Sequence, residues 1–265
     1  MFKSILTVIL LCTALPAWAD SVLLYNTSQD RIEISRNADE VRSIASITKL
    51  MTAMITLNYD KDLGRRLMLS RRVHSYLPRQ EYTREQLLKA MLIKSDNAAA
   101  ETIAEDYPGG RSAFVARMNQ QAQLWGMKHT NFIDPSGLGV FNTSTARDLS
   151  ELMIVAMGYP LIREVSAQKH VALETKNQKK IRKINLDHTS GPLLLAFDSV
   201  LISKTGLTSA AGWCVSMVVE QNNQQYIVIV LGSKNKKQRL DTVKEIRHGH
   251  ALGTNLSDFK ISATY

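Results

Sequence analysis

The chain has 265 residues, of which 45% are hydrophobic and 22% are charged, and its formal net charge is +9. This composition allows a large buried core and excludes general disorder, and the length suits one large domain. The basic excess suits an anionic surface or plain solubility, and because no nucleic-acid-reading motif accompanies it, we expect no nucleic-acid partner.

Residues 1–19 have the pattern of an export signal. Met1-Phe2-Lys3 is a short positive start, Ile5 to Leu15 is an apolar run, and Ala17-Trp18-Ala19 is a small-x-small cleavage site before Asp20. The apolar run is too short to span a bilayer comfortably. We therefore expect an exported protein with a cleaved signal and no stable membrane anchor.

The positions of the two cysteines bear on whether the exported protein can form a disulfide. Cys12 would leave with the signal, so Cys214 would be the single remaining cysteine and no internal disulfide could form. Cys214 lies in the strand-like run GWCVSMVV, which predicts a buried structural thiol rather than a nucleophile.

The first half of the mature chain alternates short strands with helices. The helix predicted over SIASITKLMTAMITL (43–57) has apolar residues near a 3.6-residue period, yet it also contains Ser46 and Lys49. Thr145 and Asp148 can form a capping box at the start of a later helix. The other expected elements are strands at 21–26 and 31–35, a polar irregular segment at 61–82, and helices at 84–93, 97–107 and 112–126, the last ending at Gly126.

The second half is richer in strands. Residues 165–200 are polar and strand-like, and VLISKTG, GWCVSMVVE and QYIVIVLGS are three predicted strands before a closing helix at 235–248. The basic runs at 179–183 and 234–239 are interpreted as solvated faces. Strands at both ends predict one α/β (α+β) domain whose sheet is built from both termini, flanked by helices, with a helical insertion over about residues 60–165.

Three short motifs carry candidate chemistry. They are Ser46-Ile47-Thr48-Lys49 (S-x-x-K), Ser95-Asp96-Asn97 (S-D-N) and Lys204-Thr205-Gly206 (K-T-G). Singly each is weak, because S-D-N can be a helix N-cap and K-T-G can be a strand ending in a turn. Together, at a helix start, before a helix and at a strand end, they predict one catalytic site.

In this site Ser46 is the expected nucleophile and Lys49 its base. A lysine with a pKa of about 10.4 is protonated at pH 7, so its pKa must fall by roughly 3.4 units, or about 4.6 kcal/mol. Desolvation can lower the pKa of a buried lysine by about that much. We expect the apolar helix face and a second cation, Lys204, to act in this direction.

The remaining motif residues suit binding and proton transfer. The backbone N–H groups of Ser46 and Leu207 could form an oxyanion hole, and Gly206 would let substrate backbone approach the strand edge. The expected side-chain roles are proton relay for Ser95, an amide contact for Asn97, and a carboxylate contact for Lys204 and Thr205. The histidines show no metal-ligand spacing, so no metal and no cofactor are expected.

The motif set occurs in penicillin-binding proteins and class A β-lactamases. Most of residues 22–232 resembles the low-molecular-mass penicillin-binding proteins of the serine D-Ala-D-Ala peptidase family. The resemblance lies in VRSIASITKLMTAM, SDNAAAETIAEDYPGG, MNQQAQLWGMKHTNFIDPSGL, STARDL and SKTGLTSAAGWC. YPGG, STARDL and TSAAGWC are most similar to the D-alanyl-D-alanine endopeptidase branch.

The resemblance implies a β-lactamase/transpeptidase-like fold with an antiparallel sheet. It also implies a periplasmic enzyme that cuts D-alanyl–meso-diaminopimelate cross-links of peptidoglycan through an acyl-enzyme on Ser46. Lys49 would be the base, and Ser95, Asn97, Lys204 and Thr205 the supporting set. The implied partners are cross-link peptides and β-lactam antibiotics; protein partners among wall enzymes stay unknown.

Departures from relatives leave alternatives open. Carboxypeptidase relatives carry a second, β-rich domain and a C-terminal membrane helix, for which the stretch after Gly232 is too short, so we expect a single peptidase domain over 20–265. Leu207 stands where they often have histidine, which argues against a carboxypeptidase. A β-lactamase would need a deacylating glutamate, and no E-x-x-L-N stretch follows S-D-N, so a penicilloyl enzyme should persist. A D,D-carboxypeptidase and a non-catalytic β-lactam sensor or wall-binding scaffold are the alternatives.

Overall fold

The computed structural model describes residues 20–177 and 180–251. The expected export signal at 1–19 and Lys179 of the first basic run lie outside the described residues. The strands, in chain order, are β1 (Ser21–Asn26), β2 (Arg31–Arg36), β3 (Arg42–Ser43), β4 (Arg66–Met68), β5 (Glu81–Thr83), β6 (Thr143–Ser144), β7 (His170–Asn177), β8 (Lys180–Asp187), β9 (Ser199–Thr208), β10 (Gly212–Gln221) and β11 (Gln224–Ser233). The helices are α1 (Thr48–Tyr59), α2 (Arg84–Ile93), α3 (Asn97–Glu105), α4 (Gly110–Leu124), α5 (Ala146–Ala156), α6 (Pro160–Ser166) and α7 (Lys236–Ala251), with two 3-10 turns at Ala45–Ile47 and Gly191–Leu195.

A five-stranded antiparallel sheet joins the two ends of the described chain. Its strand order is β2-β1-β11-β10-β9. Ser21 pairs with Leu231 and Asn26 pairs with Tyr226, so β1 lies between its own neighbour β2 and the late strand β11. This confirms the prediction of a sheet built from both termini. Strand β9 stands at the edge, where its outer side is free to face the helices.

Each face of the sheet has its own apolar core, because successive strand side chains point to opposite faces. On one face, Leu23, Ile229 and Leu231 belong to a large buried cluster with residues of α1 to α6. On the other, Val228 and Val230 pack with Val243 and Ile246 of α7 and with the Gly191–Leu195 turn. Full burial of one such side chain stabilises the fold by about 1.5–3 kcal/mol. The sheet is thus held between two helical layers.

The helices between β3 and β7 are tied together at their ends. Arg84, at the start of α2, is 2% exposed and pairs with Asp60 after α1 and with Asp106 after α3, both at 2.7 Å. Thr83 and Gln86 form a capping box that begins α2 at its predicted first residue. This arrangement fixes α3, and with it the S-D-N motif, relative to α1. None of the helices in the described ranges has both the length and the apolar character that a membrane crossing needs.

Some local predictions are confirmed. The left-handed φ of +75° at Gly126 ends α4 as expected. Cys214 is buried, and burial raises the pKa of its thiol to about 11, which agrees with a structural role. The capping box at α5 is half formed: Thr145 accepts from the N–H of Asp148, whose carboxylate accepts instead from the N–H of His129.

The basic run at 234–239 is the prediction that the fold corrects. Lys234, Lys236 and Lys237 are exposed, but Arg239 is only 2% exposed. Arg239 shares the inner face of α7 with Val243, and its Nη1 donates to the carbonyl of Cys214 at 3.0 Å. The helical spacing of Arg239 from buried apolar residues, rather than its charge, decides where it lies.

Candidate active site

Ser46 lies in the 3-10 turn that leads into α1, rather than in the α-helix expected to start at residue 43. Residues three apart nearly eclipse one another in a 3-10 turn, so Ser46 still faces Lys49 in the first turn of α1. The Nζ atom of Lys49 lies 2.8 Å from Ser46 Oγ. Ala45, directly before the serine, has a φ of +46°, an uncommon conformation for a residue with a side chain. The nucleophile candidate is therefore presented by a tight, strained turn.

The amine of Lys49 is fully buried and surrounded by oxygen atoms. It lies 2.7 Å from Oδ1 of Asn97 and also contacts the backbone carbonyl of Ser136. Burial lowers the pKa of Lys49 to about 7, and three carboxylates, of Asp134, Asp96 and Glu101, oppose this shift. The site thus supplies the shift of roughly 3.4 units that base catalysis at pH 7 requires.

These contacts determine whether an N–H group or the lone pair of the neutral Lys49 amine faces Ser46. An uncharged amine has two N–H donors and one lone pair. The oxygens of Asn97 and Ser136 can only accept, so they take the two N–H groups. The lone pair then faces the hydroxyl of Ser46, which is the geometry for removing its proton.

A second lysine–serine pair, Lys204 and Ser95, lies near Ser46 and Lys49, and we call the region between the two pairs the cleft. Lys204 on β9 is fully buried, and its Nζ donates to Ser95 Oγ at 3.1 Å and to the carbonyl of Thr205 at 2.9 Å. Burial lowers the pKa of Lys204 well below its usual value, and the charges of Lys49 and Arg239 add to this. Ser95 has a φ of +61°, so its hydroxyl is held by a strained backbone. The structure therefore brings the S-D-N and K-T-G motifs together.

The three residues of S-D-N make different contacts. Asp96 is the N-cap of α3: its carboxylate accepts from the N–H of Ala99 at 2.8 Å and from the N–H of Tyr76 at 2.7 Å. The N-cap interpretation is therefore correct for Asp96. Ser95 and Asn97, on either side, point instead to the two lysines. The Nδ2 group of Asn97 remains available for a substrate carbonyl, because its Oδ1 is taken by Lys49.

Thr205, the middle residue of K-T-G, contacts a residue outside the three motifs. Its hydroxyl donates to Oγ1 of Thr189 at 2.7 Å, and the N–H of Thr189 donates to the carbonyl of Ile93. Two hydroxyls and the amine of Lys204 thus lie together at the end of the cleft. This set can receive a carboxylate.

From the sequence we expect Gly206 to let substrate backbone approach, but in the structure it is the chain before Ser46 that lies close to Gly206. A Cβ on Gly206 would lie 2.7 Å from the carbonyl oxygen of Ile44 and 3.3 Å from the backbone N of Ser46. The close approach is therefore made by the turn that carries the nucleophile, not by substrate alone. Because Leu207 follows Gly206, this contact brings the backbone of both oxyanion-hole candidates, Ser46 and Leu207, to one place. The side chain of Leu207 is 51% exposed.

Besides Thr189, the sequence does not predict two further contributors to the site. The DPSG segment (134–137) carries none of the three motifs, but the carbonyl of Ser136 binds Lys49 and Gly137 packs on the carbonyl of Ala45. Arg239 was assigned to a solvated face, but its charge acts on Lys204. The helical period of α7 could have indicated the burial of Arg239. A backbone carbonyl, by contrast, has no residue-type signal.

Known proteins match this chain along most of its length. A sequence model of peptidase family S11, described as D-alanyl-D-alanine carboxypeptidase, matches residues 13–235. The D-alanyl-D-alanine endopeptidase of Escherichia coli (strain K12) is 33% identical over 238 residues, which cover 86% of this chain and 75% of that protein.

Solved structures share the fold. The Streptomyces K15 DD-transpeptidase aligns with a TM-score of 0.81 at 26% identity, over 87% of this chain and 96% of that one. Penicillin-binding protein D2 from Listeria monocytogenes, in its ampicillin-bound form, aligns with a TM-score of 0.74 at 28% identity, over 86% and 95%. The predicted β-lactamase/transpeptidase-like fold is confirmed. The chain belongs to the D-alanyl-D-alanine carboxypeptidase family of serine peptidases, S11.

Proposed function

We propose that the protein is a serine D,D-peptidase that acts through an acyl-enzyme on Ser46. The observation that carries this proposal is the buried amine of Lys49, 2.8 Å from Ser46 Oγ, with a pKa of about 7. Half of such amines are neutral at pH 7, so a base is present where the nucleophile needs one.

The reaction follows from the positions of these groups. Lys49 takes the proton of Ser46, and Oγ attacks the carbonyl carbon of a D-alanyl residue. The backbone N–H groups of Ser46 and Leu207 receive the oxyanion of the tetrahedral intermediate. As the C–N bond breaks, Ser95 passes its hydroxyl proton to the leaving amine and receives in its place the proton that Lys49 took from Ser46. Water then attacks the ester, giving a free carboxylate and regenerating Ser46.

We infer that the substrate is a peptidoglycan cross-link between D-alanine and meso-diaminopimelate. The support is that the E. coli relative is named an endopeptidase and that the cleft is lined by an apolar, half-exposed Leu207. Lys204 and Thr205, with Thr189, would hold a carboxylate beside the scissile bond. Removal of a terminal D-alanine is the second candidate, because the family model is described as a carboxypeptidase.

Two further statements belong to this proposal. β-Lactams should acylate Ser46, and this is supported by an ampicillin-bound relative of the same fold. Without an E-x-x-L-N stretch after S-D-N, we expect the adduct to persist. The enzyme would act in the periplasm after cleavage of residues 1–19.

Labelling with a fluorescent penicillin tests the acylation. The wild-type protein should be labelled in a 1:1 ratio, and Ser46→Ala should not be labelled. Ser43→Ala, three residues away on β3, is the matched control and should be labelled like the wild type. Labelling of Ser46→Ala would overturn the proposal.

The reaction products distinguish an endopeptidase from a carboxypeptidase. Purified cross-linked muropeptide dimers should fall to monomers with the wild-type protein and stay intact with Ser46→Ala. Release of D-alanine from pentapeptides without loss of dimers would establish the carboxypeptidase instead. Stoichiometric labelling with no turnover of either substrate would establish a β-lactam sensor and contradict the enzyme proposal.

A further inference from the structure

Asp134 is the most heavily hydrogen-bonded carboxylate beside the site among the residues that the structure describes. It is 6% exposed and accepts five hydrogen bonds. Oδ1 accepts from the N–H and hydroxyl of Ser136 at 2.7 and 2.8 Å and from the N–H of Gly137 at 2.6 Å. Oδ2 accepts from the N–H of Gly139 and from Nδ2 of Asn142, both at 2.7 Å. The loop after Asp134 is thus wrapped around one carboxylate.

Three consecutive residues of the same loop, Pro135 to Gly137, lie against the start of α1 and the 3-10 turn before it. The carbonyl of Pro135 accepts from the hydroxyl of Thr52 at 2.6 Å, and that of Ser136 accepts from Lys49 Nζ. Gly137 has a φ of +79°, and a Cβ there would overlap the carbonyl of Ala45. This loop accepts its hydrogen bond from Lys49 through a backbone carbonyl, so the position of the acceptor depends on the course of the backbone.

We propose that Asp134 is a positioning residue for acylation, which holds the Ser136 carbonyl where it takes one N–H of Lys49 and leaves the amine lone pair facing Ser46. This inference rests on the acylation of Ser46 proposed above. Asp134 itself does not touch the reacting atoms. Its part is to keep a backbone oxygen fixed while the lysine gains and loses a proton.

The charge of Asp134 adds a second, separable effect. Burial alone would raise the pKa of Asp134, but the hydrogen bonds from Ser136, Gly139 and Gly137 outweigh it, so the pKa is lowered and the group is an anion at neutral pH. The charged groups that act on Lys49 are the carboxylates of Asp134, Asp96 and Glu101, which raise its pKa against the effect of burial. The expected contribution of Lys204 to Lys49 is not among them; the charge of Lys49 instead lowers the pKa of Lys204. Removing the Asp134 charge must therefore lower the pKa of Lys49.

Asp134→Asn separates the two effects. The variant amide keeps the shape but places an NH₂ group against donors, so part of the loop loses its anchor. A displacement of about 1 Å costs up to about 100-fold in rate, so we expect the second-order acylation rate constant at its high-pH plateau to fall about 10- to 100-fold. The pH of half-maximal acylation should move to a lower value, which a merely structural role would not cause.

Asp148→Asn is the matched control. Asp148 is also 6% exposed and holds another loop by accepting from the N–H of His129 and the hydroxyl of Thr130, at 2.7 and 2.8 Å. It should change thermal stability but leave the pH midpoint of acylation in place. If Asp134→Asn is too unstable to assay, Ser136→Ala removes one bond to Asp134 and keeps both the charge and the carbonyl. That variant should lose about 2- to 10-fold in rate with little change of midpoint.

The outcomes are distinguishable. A folded Asp134→Asn protein with the wild-type plateau rate would overturn the positioning role, whatever its pH midpoint. Where that variant cannot be assayed, an unchanged rate in Ser136→Ala would overturn it. Labelling of Ser46→Ala in the same experiment would instead overturn the proposed acylation site. A lower plateau with an unmoved midpoint in both Asp134→Asn and Asp148→Asn would assign Asp134 to stability alone.

Discussion

Lys204 Nζ lies 3.1 Å from Ser95 Oγ, so a hydrogen bond joins the edge strand β9 to the loop before α3. Ser46 and Lys49 form the corresponding pair on the other wall at 2.8 Å. The cleft thus holds two hydroxyls, each next to a buried amine. One pair can accept the proton of the nucleophile, and the other can deliver a proton to the leaving group.

Ser95 should be needed for turnover although its backbone is strained. Ser95→Ala and Ser95→Gly both remove the hydroxyl, so acylation by a peptide substrate should fall about 10²- to 10⁴-fold in each. The φ of +61° suits glycine, which gains about 1–2 kcal/mol from relief of strain and loses about 0.4–1 kcal/mol through its more flexible unfolded chain. Urea unfolding should therefore show Ser95→Gly to be the more stable variant. Equal or reversed stabilities would mean that position 95 carries no strain.

The rate of acylation should follow the titration of Lys49. Because the base must be neutral and burial lowers its pKa to about 7, the rate constant should rise with pH through about 7 and then level off. Lys49→Met removes the base and should lower the plateau rate about 10²- to 10⁴-fold. Lys89→Met, on the surface side of α2 where Lys89 pairs with Glu85, is the control. A rate that is constant from pH 5 to 9 would exclude Lys49 as the base.

The free energy of unfolding should rise with pH above about 7. A lysine whose pKa is raised by an ion pair has the opposite effect, because its contribution is lost as the pH rises. The pKa of Lys49 is lower in the folded state, about 7, than the ordinary value of 10.5. Between these values the unfolded chain binds more protons, so the free energy of unfolding should rise with pH, by up to about 1.4 kcal/mol per unit from this residue. Lys204 acts with the same sign. Urea titrations at pH 7, 8 and 9 should show the rise, and a wild-type slope that persists in Lys49→Met would assign it elsewhere.

Gly206→Ala should damage the nucleophile rather than the substrate strand. The added methyl would lie 2.7 Å from the carbonyl oxygen of Ile44, a backbone atom that cannot rotate away, so the turn carrying Ser46 must move. We expect a loss of about 10- to 100-fold in acylation and about 1–3 kcal/mol in stability. Gly64→Ala is the control, because its nearest neighbour is a flexible side-chain oxygen of Asp62 at 3.3 Å. Normal acylation in a stable Gly206→Ala protein would contradict this account.

The sequence was sufficient for the sheet, for most helix bounds and for the residues that meet in the cleft. Strands such as β11 are continuous apolar runs bounded by turn residues, and α2 begins at Arg84 as expected, after a capping box that is not predicted from the sequence. The sequence predicts that the three motifs belong to one site because they occur in the order, and at the helix and strand positions, of a known motif set.

What escaped prediction depends on the backbone. The acceptor for Lys49 is a carbonyl, which every residue has, so the pattern around Ser136 did not distinguish it. The space at Gly206 is filled by Ile44, far away in the chain, and residue types do not reveal such a contact. The 3-10 turn before α1 likewise depends on packing against β9, since the apolar period of the segment favours a regular helix.

The position of β1 beside β11 also has a consequence for how the molecule is made. Ser21 and Leu231 are neighbours in the sheet, so the pairing closes a loop of nearly the whole described chain, and folds dominated by such distant contacts form slowly. A chain that is still being synthesised can build its helices but cannot place β1 until residues 224–233 exist. Ser46 therefore emerges early, and its surroundings are completed only by some of the last residues described here.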